Sequence, residues 1–323
     1  MRAVGLVVLM VLAGCSGGPA ASPTSPTRPA SAQATCRLPV YWGENIPQAI
    51  AAHAAFVDLA SGAVADVGRL TPAITYEAGA TYDQTSQQWR PVERYHLSPD
   101  LTRYAYQSAA AGQNEIHVVD VASGADRVAY GGSTFYIVLA FESDAIYLVH
   151  GINPRQGAYE KLYRLDPAGG TPQLVPGSDR HMYQYAWTNI SGGAAWGLDD
   201  RVEGSKLTFL VERLDLTTGT VTEWLAGPDN RQFAPIGTDG MNRLYVSDGL
   251  EVWRVARPGQ VEHLLSPTPS QGAMTFSAPM LYDSHGAWFP ARGGVWLYSD
   301  TQGSRFLMVG PLTEEVFPAG PCV

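Results

Sequence analysis

The feature that most constrains this chain is a phrase that returns. Residues 116–128, IHVVDVASGADRV, read as a strand, a tight turn and the start of a second strand. Over 116–121 apolar and polar residues alternate, the period-two signal of a half-buried strand. Asp120 stands just before Ala122-Ser123-Gly124, where its carboxylate can accept backbone N–H groups and the glycine can take the positive φ of the turn. The phrase recurs at 56–67 (FVDLASGAVADV), 162–175 (LYRLDPAGGTPQLV) and 210–225 (LVERLDLTTGTVTEWL), and more faintly at 252–264 (VWRVARPGQVEHL) and 295–308 (VWLYSDTQGSRFLM). Asp58, Asp120, Asp166 and Asp215 precede Gly62, Gly124, Gly170 and Gly219 by four; Gly259 and Gly303 persist with Val255 and Ser299 in the aspartate's place.

These six glycines are 62, 46, 49, 40 and 44 residues apart. A period in the forties with about four strands per unit predicts an all-β fold, a single β-propeller, because one such sheet cannot bury both faces and neighbours must share a core. Six four-stranded blades fit residues 36–323, opening near 37, 93, 134, 183, 233 and 276; seven is the alternative count. The competing architecture is a pair of β-sandwiches, whose hairpins carry similar turns but need not recur at this period. Residues 71–92 read as an inserted hairpin. The first blade lacks a regular strand, which residues 315–322 are placed to supply, so the ring is expected to close through both ends. Cys36 and Cys322 flank the whole repeat array and are expected to pair as a disulfide across that closure.

Composition limits the partners. The chain has 323 residues and a net charge of −9, and Lys161 and Lys206 are its only lysines. It has no basic cluster, which argues against nucleic acid. Residues 1–15 read as a targeting segment: Arg2, an apolar run over 3–12, then Leu12-Ala13-Gly14-Cys15. Those four residues resemble the bacterial lipobox, which implies lipidation of Cys15 and a membrane-surface anchor outside the cytoplasm, on the outer face of the plasma membrane or on an outer membrane. An ordinary secretory signal would change the anchor and not the compartment. Residues 16–35, rich in Pro, Ser and Thr, read as a disordered tether.

Ser98-Pro99-Asp100 followed by Arg103-Tyr104-Ala105-Tyr106 resembles the S-P-D-G-x-x-[IV]-A-[FY] phrase of TolB-like and WD40-like propeller repeats, with Leu101 where those repeats usually have glycine. Thr81-Tyr82-Asp83 with Trp89-Arg90-Pro91-Val92 resembles a segment of extracytoplasmic propeller lipoproteins. The resemblance covers residues 36–130 well and the rest by rhythm alone. It implies a propeller fold and recognition of a protein or ligand, and it implies no catalytic residue.

No catalytic constellation emerges from the residues. G-x-S-x-G, H-E-x-x-H, C-x-x-C and P-loop patterns are missing from the sequence. Ser299-Asp300-Thr301-Gln302-Gly303 approximates a sialidase aspartate box with the wrong spacing and reads as a structural turn. The seven histidines, His53, His96, His117, His150, His181, His263 and His285, show no metal-ligand spacing. Asp199-Asp200 and Asp229-Asn230, read as loops, would suit calcium and no other cofactor, although solvated loop carboxylates are the favoured reading.

Propeller topology places a ligand face at the blade joints and the loops between second and third strands, opposite the D-x-x-x-G turns. Arg155, Tyr159, His181, Tyr183, Asp200, Arg201 and Arg231 fall there, a polar and aromatic set suited to recognition. The resulting expectation is a monomeric, lipid-anchored, non-enzymatic binding or scaffold module for a protein, peptide or envelope glycan. The alternatives are a hydrolase or lactonase-like enzyme with a channel-bound calcium, and a purely structural envelope protein.

Overall fold

A computed structural model describes residues 36–46, 49–71, 79–110, 113–142, 144–151, 159–179, 187–227, 231–267, 279–310 and 312–323. Apart from one short 3-10 turn at Arg94–His96, the regular structure of these residues is β-strand. Sheet I comprises Arg103–Ala110, Gln113–Asp120 and Asp126–Gly132, with Leu97 bridged to Tyr104 on its inner side. Sheet II comprises Tyr136–Phe141, Ile146–Gly151, Tyr159–Leu165 and Gln173–Leu174. Sheet III holds Trp187–Ser191, Ala194–Glu203, Lys206–Asp215 and Val221–Ala226, and sheet IV holds Ala234–Thr238, Leu244–Ser247, Val252–Arg257 and Gln260–Leu265. Each is an antiparallel meander in chain order, as local hairpins require.

The closing sheet has eight strands and joins both ends of the described chain. Glu315–Pro318 pairs on one side with Arg37–Ile46, through Val40 to Pro318 and Trp42 to Val316. On its other side it pairs with Gly286–Arg292, through Ala291 to Val316. The C-terminal strand therefore supplies what the first repeat lacks. Arg37 and Val323 exchange backbone hydrogen bonds of 2.8 and 3.0 Å, and Cys36 is disulfide-bonded to Cys322 with Cα atoms 5.6 Å apart. The inserted hairpin, Thr81–Asp83 with Gln88–Arg90, lies against this seam: the Tyr82 amide donates to the Ala319 carbonyl at 2.8 Å.

The core is divided among the joints between sheets, as stacking of one-sided sheets demands. Ile116 and Val118 of sheet I meet Val138 and Leu148 of sheet II; Val149 and Leu162 of sheet II meet Trp187 and Leu214 of sheet III. Trp196 and Leu225 of sheet III meet Phe233 and Trp253 of sheet IV, and Tyr245 of sheet IV meets Phe289. Leu38 and Val57 meet Trp288 and Val295 across the closure. The turns that defined the repeat form as the residues dictate except at Asp166, where Gly170 has φ 140° and its amide donates to the Ala129 carbonyl at 3.0 Å. Asp58, Asp120 and Asp215 each accept backbone N–H groups from their own turns at 2.7–3.1 Å; the Ser123 hydroxyl first at Asp120, and the backbone bonds first at Asp58 and Asp215, hold their carboxyls below the usual aspartate range. Gly62, Gly124, Gly219, Gly259 and Gly303 all have φ between 68° and 73°.

One reading is corrected. Asp199 and Asp200 lie inside the strand Ala194–Glu203, paired with Leu210 and Phe209. Among the described residues its inner side pairs from Ser191 opposite Ala194 to Trp187 opposite Gly197. The hairpin's tip, residues 201–206, is exposed and mostly polar, so it looks like a loop in sequence.

Candidate functional site

Sheets II, III and IV, the closing sheet and the segment before sheet I converge on a cavity of about 480 Å³. Sheet II gives Ala140, Phe141 and Glu142; sheet III gives Asn189, Ile190 and Ser191; sheet IV gives Ile236, Gly237 and Thr238. The closing sheet gives Tyr41, Leu281, Phe317 and Pro318, and the segment before sheet I gives Glu93, Arg94, Tyr95 and Leu97. The wall is mostly apolar and aromatic, the composition of a binding pocket.

Strand register tells which end of the ring this is. Phe141 pairs with Ile146, which pairs with Leu165, next to Asp166 of its turn. Ser191 pairs with Ala194, which pairs with Asp215. The cavity thus opens among the ends that carry the D-x-x-x-G turns.

Two carboxylates and one guanidinium stand in the wall. The Arg94 guanidinium donates to the carbonyls of Leu97, Ser98 and Pro99 at 3.2–3.4 Å, bracing the Ser98-Pro99-Asp100 turn. Burial pushes its pKa down, and the nearby Glu142 carboxylate opposes that. Burial pushes the Glu142 carboxyl up, with Arg94 countering. The third is Glu93, whose backbone carbonyl caps the 3-10 turn by accepting the His96 amide at 3.1 Å. A partly desolvated arginine and glutamate in an aromatic ring can orient a polar group of a ligand.

Of the residues picked out from sequence, those described do not line this cavity. Arg155, His181 and Tyr183 fall outside the described residues, and Tyr159 begins the strand Tyr159–Leu165, where its backbone pairs with Gly151. Asp200, Arg201 and Arg231 are at the end of the ring away from the cavity. Arg201 is ion-paired with Glu203 at 3.0 Å and Glu223 at 2.8 Å. Arg231 pairs with Glu251 at 3.0 Å and lies over the Trp253 ring, 5.7 Å from its centroid. Glu223 and Trp253 both line a second cleft of about 410 Å³ between sheets III and IV, with Trp224 and Val261. Arg201 and Arg231 each contact one residue of this cleft and line neither cavity.

Sequence reasoning missed the cavity residues because no motif marks them; the available signal was that each repeat opens with an aromatic-led strand. Of the histidines, His53 bridges Glu44 and Asp66 at 3.3 and 2.7 Å while stacked on Trp42, and His117 bridges Asp126 and Glu115 at 3.0 and 3.2 Å while stacked on Tyr106. His96 is buried, its Nδ1 2.8 Å from the Ala105 carbonyl oxygen.

No protein-family model matches the chain, and no curated protein matches it in sequence. Solved structures do match in shape. TolB from Acinetobacter baumannii is 12% identical, with a TM-score of 0.55 over 88% of this chain and 67% of its own. A putative TolB from Agrobacterium tumefaciens is 15% identical, with a TM-score of 0.49 over 88% of this chain and 93% of its own. The oligogalacturonate lyase of Vibrio parahaemolyticus is 10% identical, with a TM-score of 0.48 over 88% and 90%. At such identities the common property is the architecture, and by sheet order, shared cores and shape this chain is a β-propeller.

Proposed function

We propose that this chain is a non-enzymatic, six-bladed binding propeller that works outside the cytoplasm, held at a membrane surface through Cys15, and that it receives an apolar segment of a protein or peptide in its axial cavity. The observation that carries this is the wall itself: Tyr41, Tyr95, Phe141, Met280 and Phe317 ring the cavity, with Glu142 and Arg94 as charged groups among them. Aromatic side chains with few, placed polar groups are what recognition uses. The disulfide supports the compartment, since such bonds persist where the surroundings are oxidising. Among the described residues, the one group of three His, Cys, Asp or Glu ligand atoms close enough to hold an ion is at the ring seam and not in the cavity.

The test is capture from envelope extracts on the immobilised chain, compared across variants. A partner retained by the wild type and by Arg201→Ala/Arg231→Ala, and lost with Met280→Trp, supports the axial site. A partner lost only with the two arginines moves the site to the opposite end. Turnover of an extracted substrate, or no specific partner at all, overturns the reading.

A further inference from the structure

We propose that the seam of the ring is a latent metal site: once the Cys36–Cys322 disulfide is reduced, the two thiolates and His285 bind one thiophilic divalent cation, Zn²⁺ being the natural choice, and so clasp the ring a second way. The ligand atoms of Cys36, Cys322 and His285 already lie within 4.8 Å of one another. His285 Nε2 is 3.6 Å from Cys36 Sγ. A tetrahedral zinc centre with ordinary Zn–N and Zn–S bonds separates such a nitrogen and sulfur by about 3.6 Å. The imidazole is therefore at ligand spacing from a sulfur before any metal arrives. The two sulfurs must part to roughly 3.8 Å, which side-chain rotation provides without moving the backbone.

The support for such a site is also in place. Asp283, whose side chain is 6% exposed, accepts the Cys322 amide at 3.0 Å and the His285 amide at 2.8 Å. Its Oδ1 lies 3.4 Å from His285 Nδ1, the ring nitrogen away from the sulfurs, which is buried and makes no hydrogen bond. A carboxylate behind the second nitrogen of a ligating histidine is the arrangement that orients metal-bound imidazoles. A disulfide needs neither the histidine nor the aspartate; a Cys₂His centre needs both.

The chemistry balances. A phosphine and water convert the disulfide to two thiols and a phosphine oxide. The cation then forms two M–S bonds and one M–N bond, the two S–H protons leave to solvent, and a water keeps the fourth position.

The experiment uses the whole chain with Cys15→Ala throughout, reduced with a phosphine, desalted without oxygen and titrated with Co²⁺. One equivalent is expected to bind, with sulfur-to-cobalt charge-transfer and tetrahedral visible bands that Zn²⁺ bleaches. His285→Ala and His285→Gln are each expected to shift the visible bands and weaken binding at least tenfold, and Asp283→Asn to weaken it about 10–100-fold. The oxidised forms of all variants, closed by the disulfide, are checked for wild-type melting so that loss of binding is not loss of fold. A reduced chain without thiolate–cobalt bands, or bands and affinity indifferent to both His285 variants, overturns the proposal.

Discussion

Phe317 stacks on Tyr41, ring centroids 5.1 Å apart and planes inclined by 18°. The two residues face each other in register across the strand pair that joins the two ends of the described chain. Both also line the axial cavity, so the seam and the candidate site are one surface. Phe317→Ala is therefore expected to destabilise the fold by roughly 2–4 kcal/mol, and a double-mutant cycle with Tyr41→Ala to return a coupling of about 0.5–1.5 kcal/mol. Urea unfolding at constant slope measures both. A coupling near zero would mean that the rings merely adjoin.

The repeat was legible because its turns are chemically explicit: an aspartate to accept the turn amides and a glycine to take positive φ. The closure was legible from Cys36, Cys322 and the strand missing from the first repeat. The position of the cavity was not, because it follows from register. Nothing in Phe141 or Ser191 says that their strands end level with Leu165 and Asp215. Asp199 and Asp200 misled for a physical reason: toward its tip the hairpin loses the alternation that reveals a strand, and even Val202 there is 66% exposed.

Leu101 offers a sharper test of that legibility. It stands where the resembled repeat phrase has glycine, and its φ is 59°, a conformation that costs a branched L-residue about 1–2 kcal/mol. Leu101 also packs beside Val92 and Leu97, so removing its side chain has a cost of its own. Comparing two truncations cancels that cost. Leu101→Gly is expected to be more stable than Leu101→Ala by about 1 kcal/mol, the reverse of the usual order. Thermal melts in which alanine is the better residue would show that the turn relaxes.

Glu142 should make stability depend on pH in the direction opposite to the turn aspartates. Its carboxyl is pushed above the ordinary glutamate value of 4.5, chiefly by burial. The folded chain then holds its proton more tightly than the unfolded chain, so stability falls as pH rises from the unfolded value through the folded one. Glu142→Gln removes that loss. The variant is expected to match the wild type near pH 4 and to exceed it at neutral pH, by about 1.4 kcal/mol for each unit of upward shift. Urea midpoints at the two pH values decide it, and a variant less stable at neutral pH would assign the carboxylate a net favourable pairing with Arg94.

Asp300 ties the closing sheet to sheet IV. Its two carboxylate oxygens accept from Arg254 Nη1 at 2.5 Å and Arg243 Nη2 at 3.2 Å. Arg254 is 7% exposed and also donates to Glu262 at 2.6 Å, while Arg243 Nε donates to the buried Asp239 at 2.6 Å. Beside them burial pushes the Tyr245 phenol up to about 12. Removing one acceptor leaves a largely buried guanidinium short of a partner, whereas replacing the guanidinium by an apolar chain of similar length removes the need for one. Asp300→Ala is therefore expected to cost about 1–3 kcal/mol and Arg254→Met less. The pair with Arg254, the largest influence on Asp300, holds its carboxyl below the ordinary 3.8. That contribution is complete above the unfolded value and is lost as pH falls through the folded one, so the gap between wild type and Asp300→Asn should close on acidification. A gap that persists undiminished at pH 2–3 would mean that Asp300 acts through its turn and not through the arginines.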